Sequence, residues 1–149
     1  MIRPAKLSDA NAICDIYDYY VTNTTITFEE EPVSIEEMQK RIADTSKKYP
    51  WLVYEADGSI VGYAYAMEWK ARRSYRYSVE STVYLKNDST AKGIGSALYE
   101  ALLDELNKMD IHVVIGGVAL PNDASVALHA CLPVGRKNLG SKRLPIFGR

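Results

Sequence analysis

Cysteine is scarce in this chain: 149 residues contain two, Cys14 and Cys131. They stand at no metal-ligand spacing and form no CxxC pair, so no metal cluster or dithiol site is written here. Cys14 falls among the apolar residues of a predicted helix and reads as buried and inert. Net charge is also small, at -1, so the molecule as a whole lacks the positive excess that advertises nucleic-acid binding. No apolar run approaches the ~18 residues of a membrane span. Met1 to Asp9 lacks the apolar stretch of a signal peptide, which leaves the cytoplasm as the default expectation. No internal repeat, low-complexity linker or clear domain boundary interrupts the chain. What is present is a globular balance, 47% hydrophobic and 25% charged, at a length suited to one core. Tyrosine is frequent, at 11 residues. It suits strands and pockets, because it offers apolar area with a polar tip.

Periodicity orders the elements. Ile2-Arg3-Pro4-Ala5 reads as a short edge strand, where proline is tolerated. Ser8 is placed to cap a helix in which Ile13, Ile16, Tyr17 and Tyr20 recur at helical spacing. Ser34 and Glu37 make a capping box for a second helix carrying Ile35, Met38 and Ile42 on one side. Trp51 to Ala56 and Ile60 to Trp69 are strands joined by a hairpin turn at Asp57-Gly58. Tyr75 to Leu85 is a third strand, rich in Tyr, Val, Ser and Thr. A helix over Ile94 to Met109 puts Ile94, Leu98, Leu102, Leu106 and Met109 on one face. His112 to Val118 is a buried strand, and Pro121 opens a short helix through His129. This order is mixed α/β around one central sheet.

Thr90-Ala91-Lys92-Gly93-Ile94-Gly95-Ser96 joins the third strand to the long helix. The first backbone N–H groups of a helix lack partners within it. Glycines let the chain approach a phosphate closely, and the helix dipole favours an anion there. Lys92 adds a positive charge. A glycine pair of this kind is also an ordinary tight turn, and the loop alone leaves both readings open. Two rival cofactor fingerprints fail on spacing. A dinucleotide loop needs a third glycine where Leu98 stands, and a phosphate-binding Walker loop needs Gly-Lys-Ser/Thr, whereas here Lys92 precedes Gly93.

The context of the loop carries a resemblance. Glu80-Ser81-Thr82-Val83-Tyr84-Leu85, then Lys92-Gly93-Ile94-Gly95-Ser96-Ala97-Leu98-Tyr99, then Leu120-Pro121-Asn122-Asp123-Ala124-Ser125-Val126-Ala127-Leu128-His129, resembles the GNAT N-acetyltransferases. Tyr49-Pro50-Trp51-Leu52-Val53, Ala64-Tyr65-Ala66 and Trp69-Lys70-Ala71-Arg72 are similar to the branch that acetylates phosphinothricin and methionine sulfoximine. The resemblance covers residues 1–131 and implies an acetyltransferase domain there, with an atypical basic tail over 132–149. It implies an α/β (α+β) fold: a central mixed, mostly antiparallel twisted sheet flanked by helices, with the last strands missing or altered. It also implies acetyl-coenzyme A as co-substrate, a small-molecule amine as acceptor, no metal, and a homodimer. Neither nucleic acid nor membrane is expected as a partner.

The resemblance further implies roles. Val83, Tyr84 and Leu85 would pair with the pantetheine arm as an added strand would. Lys92, Gly93, Ile94, Gly95, Ser96 and Ala97 would hold the diphosphate, and Asn122 and Ser125 the pantetheine. The family often has Gln or Arg three residues before its first motif glycine. Here that residue is Thr90, so Lys92 and the backbone carry more of the phosphate binding.

An ammonium cannot attack a thioester, so the amine must first lose a proton. Glu80 is the candidate base, on the strand face alternate to Val79, Ser81 and Val83. The competing reading has Glu80 orient a neighbour or bind the amine. The departing thiolate needs a proton, and His129 stands where many relatives have a tyrosine. It is equally readable as a helix-end histidine. His112 reads as structural.

For the acceptor, Lys70 to Arg76 holds four basic residues in seven, either a solvated turn or an anion clamp. Arg72 and Tyr75 are the first choices there. Phe28 is placed to wall the pocket, and Glu29 or Glu30 to attract an ammonium, against the reading of an exposed acidic run.

After His129 the family pattern stops. Ala124 to Arg149 contains five basic residues and no acid, without strand-like alternation. A shifted reading frame or a truncation is the expectation. A symmetric dimer is one way to cover the sheet edge this leaves. The alternative to an enzyme is a non-catalytic acetyl-coenzyme A-binding module with a disabled acceptor site. A third reading is an interaction protein that binds no coenzyme.

Overall fold

In the computed structural model the structure describes residues 1–24, 29–69, 76–89, 93–118 and 146–148. Apolar residues recur at two periods, and each period selects an element. The strands are β1 (Ile2–Pro4), β2 (Trp51–Ala56), β3 (Ser59–Glu68), β4 (Ser78–Leu85), β5 (Val113–Val118) and β6 (Ile146–Gly148). The helices are α1 (Ala10–Asn23), α2 (Ile35–Ser46) and α3 (Ile94–Asn107). The strands form one sheet in the order β1-β2-β3-β4-β5-β6. Pairing is antiparallel from β1 to β4, then parallel for β4–β5 and β5–β6. The parallel step follows from the α3 crossover, because a tight hairpin joins only antiparallel strands.

Each sheet face has its own core. Leu98, Leu102 and Leu106 recur every four residues on α3 and pack with Leu52, Ala64, Val79 and Val114. On the opposite face Ile13 and Ile16 of α1 and Met38 and Ile42 of α2 cover Trp51, Val53 and Tyr63. Adjacent residues of β2, Leu52 and Val53, therefore serve opposite cores. That is the two-residue alternation of a sheet covered on both sides.

Several expected boundaries move. Ser8 does not cap α1: Leu7–Asp9 forms a 3-10 turn, and α1 starts at Ala10 with no side-chain cap. Asp9 is used instead, accepting the Lys6 amide at 2.7 Å and a bidentate pair from Arg3 at 2.8 and 3.0 Å. Ser34 does cap α2 through the Glu37 amide. The Glu37 carboxylate accepts from Arg41 at 3.1 Å. Asp57 and Gly58 turn the hairpin with φ of 51° and 75°, as the Asp-Gly signal requires. Met109 lies past the end of α3 and is 37% exposed, so the apolar stripe stops at Leu106. Cys14 is buried, and burial pushes its thiol up to about 11, consistent with an inert packing residue.

The tail, where the last strands were expected to be missing or altered, carries a short strand. β6 covers β5 through Gly116↔Ile146, Gly117↔Phe147 and Val118↔Gly148. Cys131 and the expected helix after Pro121 lie outside the described residues. Among the described residues no helix is long and apolar enough to cross a membrane.

Candidate active site

The site begins where two parallel strands part. The β4–β5 ladder runs from Ser78↔Val113 to Ser81↔Gly116 and stops there. Both strands continue, β4 to Leu85 and β5 to Val118. Hydrogen bonds at the two ends of β4 fix which way its amides point. Lys86 N–H donates to the Val61 carbonyl at 2.8 Å and Trp69 N–H to the Ser78 carbonyl, so the even-numbered residues face β3. Val113 N–H donates to the Tyr77 carbonyl at 3.1 Å, so the odd-numbered ones face β5. Val83 and Leu85 thus turn their main-chain groups into the open wedge. The Leu85 carbonyl there accepts from the Tyr20 hydroxyl at 2.5 Å. Tyr84, expected to share this role, turns its N–H and C=O to β3. Its ring packs against Tyr17, Tyr20 and Tyr63 at 5.1–5.5 Å.

Beyond β4 the chain enters α3. Gly93 heads it with φ of 75°, a left-handed conformation that glycine adopts without strain. Its carbonyl receives the Ala97 amide at 3.0 Å. Ala97, expected in the phosphate cradle, therefore has its amide committed to the helix. The amides from Gly93 to Ser96 are the ones a helix leaves without internal partners. Gly93 and Ser96 are exposed, Ile94 is half-buried and Gly95 is buried. Strand amides facing a parting of two strands, followed along the chain by an anion-favouring helix start, suit an extended amide chain joined to a diphosphate. Lys92, Asn122, Ser125 and His129 lie outside the described residues.

Glu80 stands one residue before the end of the β4–β5 ladder, between Met67 of β3 and Ile115 of β5. Its half-buried side chain lies on the α1/α2 face, because Val79 and Ser81 on either side are buried on the α3 face. Ser81 is fixed there by Tyr99, with 3.1 Å between the hydroxyls. Two-residue spacing then puts Thr82 and Tyr84 beside Glu80. Cross-strand pairing brings Tyr65 opposite Thr82 and Tyr63 opposite Tyr84.

This face is lined with tyrosines. Trp51 and Tyr65 stack at 4.2 Å, and Tyr17 meets Tyr84 edge-on at 5.4 Å. Burial holds the Tyr17, Tyr63, Tyr65 and Tyr84 phenols above their ordinary range, so they remain hydrogen-bond donors at neutral pH.

Glu29 closes the same face. Arg41 of α2 donates to both its oxygens, at 2.6 and 3.4 Å. Arg41 above all holds the Glu29 carboxyl below the usual carboxylate range. Glu30, the alternative, is exposed. Phe28, Arg72 and Tyr75 lie outside the described residues. His112 is exposed, stacked on Tyr77 at 4.7 Å and 3.0 Å from Asp110. Among the described residues no three His, Cys, Asp or Glu side chains gather as a metal site.

Sequence reasoning missed Tyr17, Tyr20, Tyr65, Thr82 and Arg41 as site residues. The alternation of β4 already put Thr82 on the face of Glu80. Nothing local pointed Arg41 at Glu29, twelve residues earlier.

Comparison with known proteins agrees with this geometry. A family profile described as an acetyltransferase (GNAT) domain matches residues 2–141. Phosphinothricin N-acetyltransferase of Streptomyces viridochromogenes is 41% identical over 131 residues, 88% of this chain and 72% of that protein. The L-methionine sulfoximine/L-methionine sulfone acetyltransferase of Pseudomonas paraeruginosa is 35% identical over 130 residues, 86% of this chain and 76% of that one. A GNAT superfamily phosphinothricin acetyltransferase of Sinorhizobium meliloti, solved in complex with acetyl-CoA, superposes with a TM-score of 0.83 at 33% identity, covering 87% of this chain and 71% of the other. The chain belongs to the GNAT acetyltransferase family.

Proposed function

We propose that this protein transfers the acetyl group of acetyl-coenzyme A to the amine of a small, amino-acid-like molecule. The observation that carries the reading is the position of Glu80, at the vertex of the wedge between β4 and β5. Acetyl-coenzyme A supplies an activated thioester when bound. The Val83 and Leu85 main chains hold its extended arm by strand-like hydrogen bonds, and the Gly93 to Ser96 amides hold its diphosphate, with Lys92 adding charge. Glu80 faces the tyrosine-lined side of the sheet and takes the proton from the acceptor ammonium, directly or through water. The hydroxyls of Tyr65 and Thr82, opposite each other across the β3–β4 pair, offer donors and acceptors beside it. The Val83 amide, aimed into the wedge, is placed to stabilise negative charge on the acyl oxygen. His129 protonates the departing thiolate, and Arg72 with Tyr75 receives an anionic group of the acceptor. Those last roles rest on the family resemblance.

The relatives named above favour amino-acid analogues bearing a sulfoximine, sulfone or phosphinate. Calorimetric titration with coenzyme A tests the wedge. A screen of phosphinothricin, methionine sulfoximine and methionine sulfone for acetyl-coenzyme A-dependent thiol release tests the transfer. Binding with release on at least one of them is expected. Failure to bind would overturn the whole reading, whereas binding with no release on any amine would leave a coenzyme-binding module.

A further inference from the structure

Arg41 belongs to no expectation drawn from the sequence, yet it stands over the face that carries Glu80. It projects from α2 between two carboxylates, Glu37 at 3.1 Å on its own helix and Glu29 at 2.6 Å across from it. Both Glu29 oxygens accept from Arg41. Arg41 and Glu29 are about one-third exposed, with side chains at 37% and 34%. A pair this exposed contributes little to global stability. Its fork geometry instead fixes where a carboxylate points. Arg41 precedes Ile42, which packs with Trp51 and Tyr63 on the sheet face that also carries Tyr65, Tyr84 and Glu80.

We infer that Arg41 is a positioning residue for the acceptor: it holds Glu29 over the tyrosine-lined face, where the fixed carboxylate receives the ammonium of the incoming amine. The inference rests on the proposed acetyl transfer and concerns only acceptor binding.

The test is a double-mutant cycle on the full chain, with acetyl-coenzyme A and an amine that the wild type acetylates. Arg41→Gln is expected to raise KM for the amine roughly fivefold or more, as for residues coupled in one network. KM for acetyl-coenzyme A should stay unchanged, and the melting temperature nearly so. Arg41→Lys, which keeps the charge but loses the fork, should fall between the two. In a Glu29→Gln background Arg41→Gln should add nothing, because its effect passes through Glu29. An unchanged amine KM in Arg41→Gln would overturn the inference and leave acetyl transfer standing. So would an equal rise in both backgrounds. A wild type that acetylates no amine would overturn the proposed function, and this inference with it.

Discussion

At the residue scale, Glu80 owes its place to neighbours that face away from it. Val79 and Ser81 are buried on the α3 side, so two-residue alternation turns Glu80 toward α1 and α2. Replacing it with glutamine keeps the shape and removes the proposed base. Glu80→Gln is expected to lower kcat by about 10²–10⁴-fold, the usual contribution of a positioned general base. Coenzyme A affinity, measured by titration, should not change, because the wedge amides remain. Full turnover at neutral pH in that variant would assign proton removal to another group. The alternation that exposes Glu80 was legible in Glu80-Ser81-Thr82-Val83. The reach of Arg41 to Glu29 was not, since it joins a helix to a loop whose relative placement depends on the packing of α1 against α2.

At the scale of elements, β3 and α3 meet at Gly62. A Cβ built there would lie 2.6 Å from Leu85 Cδ2 and 3.1 Å from both Leu98 Cδ1 and the Tyr84 carbonyl oxygen. Side chains can give way, but the carbonyl belongs to β4, which is paired to β3. Gly62→Ala is therefore expected to cost about 1–3 kcal/mol through overpacking. Thermal unfolding would register this as a fall of about 4 °C per kcal/mol. An unchanged melting temperature would mean that Leu85 and Leu98 have room to move. The same scale shows where element boundaries were readable. The Asp57-Gly58 turn and the Ser34 cap are local chemistry, and both appear where the residues predict them. The start of α1 does not, because Asp9 is drawn to Arg3 in a neighbouring strand and the first turn tightens to a 3-10 turn.

At the scale of the whole molecule, the N-terminal strand is tied down by one polar knot. Arg3 of β1 bonds Asp9 ahead of α1 and Glu55 of β2, each at 2.8 Å. Arg3 holds the mostly buried Asp9 carboxyl below its ordinary value of 3.8. A depressed carboxyl contributes stability that is present above its unfolded value and lost as pH falls through the folded one. Denaturant unfolding should therefore show a stability loss setting in below about pH 4. Asp9→Asn should cost about 1–3 kcal/mol at pH 7, the range for a hydrogen bond to a charged group. It should also flatten that acid dependence. An acid limb as steep in Asp9→Asn as in the wild type would place the pH dependence elsewhere.

The amino-acid order by itself determined the periods, the α2 cap, the Asp-Gly hairpin, the glycine loop and the family they belong to. Each depends on residues within a turn or two of one another. Only the tertiary structure decided where β4 and β5 part and which amides of β4 face that wedge. It alone added a short β6 to a tail that showed no alternation, and set Arg41 over Glu29. Those features arise from pairing and packing between segments far apart in the chain. No local pattern carries the register of a parallel pair joined through a helix, or the distance between two helices on one face.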